Sequence, residues 1–297
     1  RAITRHYESE KRWIVVRLSS GYEVRLPGLE LSLVTGFQRY RFSLCHQLKI
    51  QERLNMITQV KLDYINRVID ESLDEESLEL NGKFIGDEGI EALVQTKRVF
   101  EVENLDLSRN KLTWRGAHHL FHCDLFKNLK RLYLGDNNIS DKGIKELPSA
   151  DFAENLSLLD MRYNNIGPEG GMAVVQSEKF RKLQILIFQE NPVGDETLMT
   201  LAKAPAFANL RKLNFYRTEI TPKGIKVLAK SKVLQRVKHF NLARNYLNLE
   251  SAKLLANTKT LTKVESLLLY DTGIGDAGVK AILESEAFAN LKTLRVT

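Results

Sequence analysis

A leucine returns every 27 residues through most of this chain, and that regularity excludes more folds than any other feature of it. Leu78, Leu105, Leu132, Leu159, Leu186, Leu213, Phe240, Leu267 and Leu294 keep the interval with no insertion or deletion. A second apolar column lies two residues on, from Leu80, Leu107, Leu134 and Met161 through Phe188, Phe215, Leu242 and Leu269 to Val296. Apolar residues at i and i+2 mark a short strand with one buried face. A unit this short cannot enclose a core alone, so it must stack on its neighbours in a quasi-one-dimensional array.

The rest of the unit is as regular. Asn110, Asn137, Asn164, Asn191 and Asn245 occupy one position, with Thr218 and Thr272 in two repeats. A polar side chain at a strand exit is placed to hydrogen-bond turn backbone that would otherwise be buried unpaired. Two residues later Ile85, Leu112, Ile139, Ile166, Val193, Ile220, Leu247 and Ile274 return to the core. The second half reads as a helix, with apolar pairs such as Ile144 with Leu147 and Ile225 with Leu228. Gly89, Gly116, Gly143, Gly170, Gly224 and Gly278 sit near its start, and their periodicity makes them structural rather than phosphate-binding.

The pattern LxxLxLxxNxI, as at Leu129–Ile139, resembles the leucine-rich repeats of ribonuclease-inhibitor-like type. The tail of the unit, Phe207-Ala208-Asn209-Leu210 and again Phe288-Ala289-Asn290-Leu291, looks like the 27-residue variety of many bacterial proteins. The resemblance covers residues 75–297, as eight full repeats and the first strand of a ninth. It departs from the pattern in the first repeat, where Glu75 and Lys83 replace the expected Leu and Asn. It implies an α/β horseshoe with a parallel sheet on the concave side and helices on the convex side. Strands about 4.8 Å apart would give a face on the order of 40 Å long, ample for an interface of about 800 Å² per partner.

Residues 1–74 carry no such register. Lys11–Leu18 and Tyr22–Leu26 flank Ser19-Ser20-Gly21 as two strands around a turn, with further strands expected at Leu29–Leu33 and Phe37–Leu44. Leu48–Leu73 has helical spacing. Two domains are therefore expected: an α+β cap or small module over 1–74, and the repeats over 75–297.

Chemistry-bearing motifs are absent from the sequence: no phosphate-cradling loop, HExxH or GxSxG occurs, so no catalytic residue and no cofactor is assigned. His6, Cys45 and His46 form no recognisable arrangement. His118, His119, His122 and Cys123 crowd one helical turn, but neither neighbouring helix offers a further His or Cys, so no metal site is expected. The two cysteines, Cys45 and Cys123, read as free thiols, which favours a reducing compartment. No apolar run approaches the length of a bilayer span, and from the opening on Arg1 a signal peptide is expected to be absent or already removed. The expected location is cytoplasmic, with a secreted or delivered effector as the alternative.

The net charge of +7 is unevenly spread: between Ala208 and Leu249 ten basic residues face Glu219 alone. Nucleic acid or an anionic surface is one expected partner class for that block. The leading expectation is a non-catalytic protein-binding module, a bacterial effector or scaffold, with another protein seated on the concave face. The positions beside the buried strand residues supply the expected site: Arg131, Tyr133, Leu158, Arg162, Tyr163, Ile185, Ile187, Glu190, Lys212, Tyr216, Arg217 and Arg244. In this reading the aliphatic members stand open to water, while Glu190, Arg217, Arg244 and Asp271 form a column able to neutralise itself. An enzymatic activity in the N-terminal region and self-association through the C-terminal edge strand complete the alternatives.

Overall fold

The computed structural model describes residues 13–17, 23–27, 59–96, 98–99 and 101–296, in two compact units, 1–56 and 57–297. In the first unit, β1 (Trp13–Arg17) and β2 (Glu23–Pro27) pair antiparallel, from Trp13 opposite Pro27 to Arg17 opposite Glu23. These are two of the expected strands, and the turn expected between them lies outside the described residues. The strands expected at Leu29–Leu33 and Phe37–Leu44, and positions 48–58 of the expected helix, lie outside the described residues.

The second unit opens on α1, helical over residues 59–72. Ile65, Val68 and Ile69 fall on one face of it and are buried in the same core as the repeat leucines. The Tyr64 hydroxyl donates to the Lys83 carbonyl at 3.0 Å, and Lys61 pairs with Glu88 at 2.9 Å. A helix thus covers the first repeat where a preceding repeat would otherwise stand, and the division at residue 56 places it with the repeats.

Strand β3 (Leu73–Asp74) turns back antiparallel on β4 (Ser77–Glu79). From β4 onward the sheet is parallel and sequential: β5 (Asn104–Asp106), β6 (Arg131–Tyr133), β7 (Leu158–Asp160), β8 (Ile185–Ile187), β9 (Lys212–Asn214), β10 (His239–Asn241), β11 (Ser266–Leu268) and β12 (Thr293–Arg295). Each pairing is offset by the repeat length, so Leu132 lies beside Leu159 and Leu159 beside Leu186. The sheet is open. Helices α2 (Gly86–Gln95), α3 (Trp114–Phe121), α4 (Ser140–Ile144), α5 (Pro168–Val175), α6 (Gly194–Leu201), α7 (Pro222–Leu228), α8 (Leu249–Ala256) and α9 (Gly275–Leu283) return the chain between strands. One continuous apolar core joins all of these elements.

The asparagine column satisfies the turns across repeat boundaries. Asn164 Nδ2 donates to the carbonyls of Leu134 (2.7 Å) and Met161 (3.1 Å), while its Oδ1 accepts from the Ile139 amide (3.3 Å). Asn137 Oδ1 likewise accepts from the amides of Asn110 and Leu112, each at 3.0 Å. Thr218 is too short to reach back a repeat. Its hydroxyl donates to Phe215 O at 2.8 Å, and the Val193 amide turns to Asn191 O at 2.8 Å instead.

The helix starts alternate between two forms over six repeats. Gly86, Ser140 and Gly194 enter their helices at positive φ, whereas Thr113, Gly167 and Thr221 enter extended. An aspartate follows each of the first three and caps the helix of the next repeat. Asp87 Oδ1 accepts from the amides of Thr113 (2.7 Å) and Gly116 (3.0 Å), Asp141 Oδ1 from Gly167 (2.7 Å) and Gly170 (2.9 Å), and Asp195 Oδ1 from Thr221 (2.9 Å) and Gly224 (3.1 Å). That carboxylate occupies the space a side chain would need: a Cβ on Gly116 would lie 2.5 Å from Asp87 Oδ1. The alternation breaks at α8, which also enters extended although α7 offers it no carboxylate. There Asn248 caps its own helix, in a reciprocal pair with Ser251.

Candidate functional site

At each strand exit one residue must take a left-handed backbone, which glycine adopts without steric cost. Gly82 does so in the first repeat. In the seven that follow, the same position holds Arg109, Asp136, Tyr163, Glu190, Arg217, Arg244 and Asp271, all with φ between 50° and 58°. Side chains project from this column along one margin of the sheet despite the strain each backbone carries. Much of the column is internally paired: Arg109 with Asp136 at 3.6 Å, Arg217 with Glu190 at 3.0 Å, and Arg244 with Asp271 at 2.8 Å. The expected self-neutralising ladder is therefore real. Tyr163 is the uncharged member, 44% exposed, its hydroxyl 3.4 Å from Gln189 Nε2.

Aromatic residues gather beside it. The Tyr216 and Tyr270 rings lie 6.0 Å apart across the small Ala243, and the Arg244 guanidinium stands 5.7 Å over Tyr216. Burial pushes the pKa of the Tyr216 hydroxyl above its ordinary value, against the nearby Arg244. Tyr246 is 70% exposed on the adjoining turn. Glu190, Arg217, Glu219, Arg244, Tyr246 and Asp271, with Pro192 and Asn245, line a cleft of about 510 Å³.

The middle of the sheet face differs from the expectation. Leu158 is 9% exposed and Ile187 5%, Asp160 is buried and Ile185 half-buried, so the aliphatic residues expected to stand open to water are mostly covered. Leu158 stands in register between Arg131 and Ile185, and Ile187 between Asp160 and Asn214. Side chains on strands about 4.8 Å apart shade one another. Arg162 Nε donates to Asp160 Oδ2 at 2.8 Å, and this bond holds the guanidinium's pKa above its usual value. Burial raises the Tyr133 hydroxyl's pKa, with Asp106 and Asp160 adding to the effect against Arg131. Arg131 and Lys212 are exposed at the strand starts, whereas Arg217 and Arg244 are exposed but committed to the ion pairs above.

The basic block does not form one surface. Lys223 and Lys226 lie on α7, Lys230 just beyond it, Arg211 and Lys238 at strand entries, and Arg217 and Arg244 at strand exits. Lys238 is held by Glu265 at 2.6 Å. Arg211 does share a second cleft, of about 690 Å³, with Lys130, Lys182 and several asparagines along the strand-entry margin.

A stacked array of strand, turn and helix units with an open parallel sheet is the architecture of a repeat solenoid. The Leucine Rich repeat family matches residues 127–147 and 153–175. Those segments carry leucine-rich repeats, and the other units of the array keep the same 27-residue register. Among solved structures it is similar to an internalin C2 from Listeria monocytogenes, at 18% identity and a TM-score of 0.54, over 75% of this chain and 80% of that one. A Listeria monocytogenes internalin, inlF, follows at 17% identity, TM-score 0.35, over 75% and 82%. The plant peptide hormone receptor RGFR1, solved in complex with RGF2, matches at 20% identity, TM-score 0.38, over 68% and 29%. These likenesses concern the fold alone. No curated protein matches the chain in sequence. Among the described residues no helix is long and apolar enough to cross a membrane.

Proposed function

We propose that the chain is a non-catalytic protein-binding module whose partner seats along the strand-exit margin of the sheet between the fourth and eighth repeats. The left-handed column carries this reading: successive repeats keep strained, long side chains where glycine would fit freely. Tyrosine and arginine gathered around a cleft are the composition of interface hot spots, and Tyr163, Tyr246, Arg217 and Arg244 supply it here. The buried Leu158 and Ile187 serve as the floor beneath that margin rather than as contacts. The partner is a protein presenting both polar and aromatic-accepting surface, since the paired charges would hydrogen-bond it without adding net charge. The basic residues of the sixth and seventh repeats are divided among several faces, which disfavours nucleic acid.

The test compares capture of proteins by the wild-type chain and by a Tyr163→Ala, Arg217→Ala, Tyr246→Ala variant, at low and high salt, with mass spectrometry. The expected outcome is one or more proteins retained by the wild type at both salt concentrations and lost by the variant, with the melting temperature nearly unchanged. Retention of the same proteins by the variant would move the site elsewhere. Capture of nucleic acid that vanishes at high salt would replace this reading with the electrostatic one.

A further inference from the structure

We propose that His118, His122 and Glu146 form a binding site for a single first-row transition cation of the zinc class on the helix side of the solenoid. His118 lies in the last turn of α3 and His122 directly caps it, so four residues of separation bring both rings to one side. Their ring centroids are 4.4 Å apart. The third donor comes from the next repeat, where Glu146 follows α4 and its amide donates to Gly143 O at 3.1 Å. Sequence spacing suggested the histidine pair but no third ligand among neighbouring His and Cys. Stacking by one repeat supplies a carboxylate instead.

Glu146 Oε2 lies 2.8 Å from His118 Nδ1 and 3.5 Å from His122 Nδ1. Donor atoms of all three residues fall within 4.8 Å of one another. Two ligands on a tetrahedral zinc at its usual bond lengths stand about 3.3 Å apart, and the observed separations straddle that value. Both imidazoles stand against the carboxylate, and among the described residues no Lys or Arg pairs with it. His122 Nδ1 donates to the His118 carbonyl at 3.0 Å, which leaves Nε2 as that ring's ligand atom. The backbone on each side is fixed by core residues, Ala117, Leu120 and Phe121 on α3 and Ile144 and Leu147 around Glu146, all buried. Only side-chain rotations separate the present arrangement from a coordinating one.

Two imidazoles and one carboxylate suit zinc, copper or nickel and are a poor match for calcium or magnesium, which take mainly oxygen ligands. The site is half-exposed, so water would complete the coordination shell. A cation bound through His118 Nδ1 would replace the contact that this nitrogen now makes with Glu146. Cys123 is not part of the set: its thiol donates to the Leu120 carbonyl at 3.1 Å.

Zinc chloride titrated calorimetrically into the untagged chain tests the proposal, with cobalt absorption as a second readout. One saturable equivalent in the micromolar range is the expected result. His122→Ala and Glu146→Gln should each weaken binding by about tenfold or more, whereas His239→Ala, on the sheet face, should leave it unchanged. Glu146→Gln keeps the side chain's shape, so its loss of binding cannot be ascribed to misfolding when its melting temperature is unaltered. Absence of saturable zinc and cobalt binding, or binding that survives Glu146→Gln, would overturn the site.

Discussion

At the scale of single residues, Asp141 shows how one side chain joins two repeats. Its carboxylate closes two amides at the start of α5 from the repeat before, a cap that helix cannot make for itself because Gly167 has no side chain. An anion at a helix start is favoured both by direct hydrogen bonding and by the helix dipole. Asp141→Ala is expected to destabilise by about 0.5–2 kcal/mol in chemical denaturation, and Asp141→Asn by less, since an amide oxygen still accepts. Equal losses for the two would mean that charge rather than the hydrogen bonds governs the effect. The glycines at Gly116, Gly170 and Gly224 were visible in the sequence as a period, but their reason was not. They make room for a carboxylate arriving from the preceding repeat, and that clash exists only after stacking.

At the scale of elements, the strand and its core columns were legible because their causes are local: alternation at i and i+2 and an interval that never slips. Leu159 is fully buried between Leu132 and Leu186, so Leu159→Ala should cost about 2–5 kcal/mol through the cavity it leaves. An unaltered melting curve would show that the register is wrong. Exposure on the other face was less legible, because Leu158 and Ile187 are covered by residues whose nearness depends on strand pairing rather than sequence distance. Ion pairs behave likewise. Glu265 accepts from Lys238 Nζ at 2.6 Å and Lys292 Nζ at 2.7 Å, which lower its pKa from 4.5 to about 2. A carboxyl whose folded pKa is depressed contributes stability above its ordinary range and loses it on acidification. Between pH 4.5 and about 2 the wild-type chain should therefore lose stability that a Glu265→Gln variant never had, so the two melting-temperature profiles converge across that window. Added salt should narrow the gap at neutral pH, since the triad is exposed to screening.

At the scale of the whole repeat unit, one core runs from α1 to β12, yet its two ends are unequal. Leu78 in the first parallel strand is fully buried, with the apolar face of α1 in the same cluster, whereas Leu294, at the equivalent position of the last strand, is only half-buried. In an array where each unit is stabilised mainly by its neighbours, the local opening free energy follows the number of covered sides. Hydrogen exchange on this chain should then show a lopsided profile. Amides of β6 to β8 exchange most slowly, those of β4 and β5 stay close to them, and those of β12 exchange fastest, with α9 intermediate. The hydrogen bonds that hold β12, from the Lys292 and Thr293 amides to Glu265 O at 2.8 and 3.0 Å, are normal in length, so fast exchange there would report poor apolar cover rather than poor pairing. Val68→Ala on α1 supplies the complementary arm. It thins the cover over the first repeat, and should raise exchange in β4 while leaving β12 unchanged. A profile symmetric about the centre, or one in which Val68→Ala speeds every strand alike, would mean that the unit opens only as a whole and that α1 does not act as a local cover.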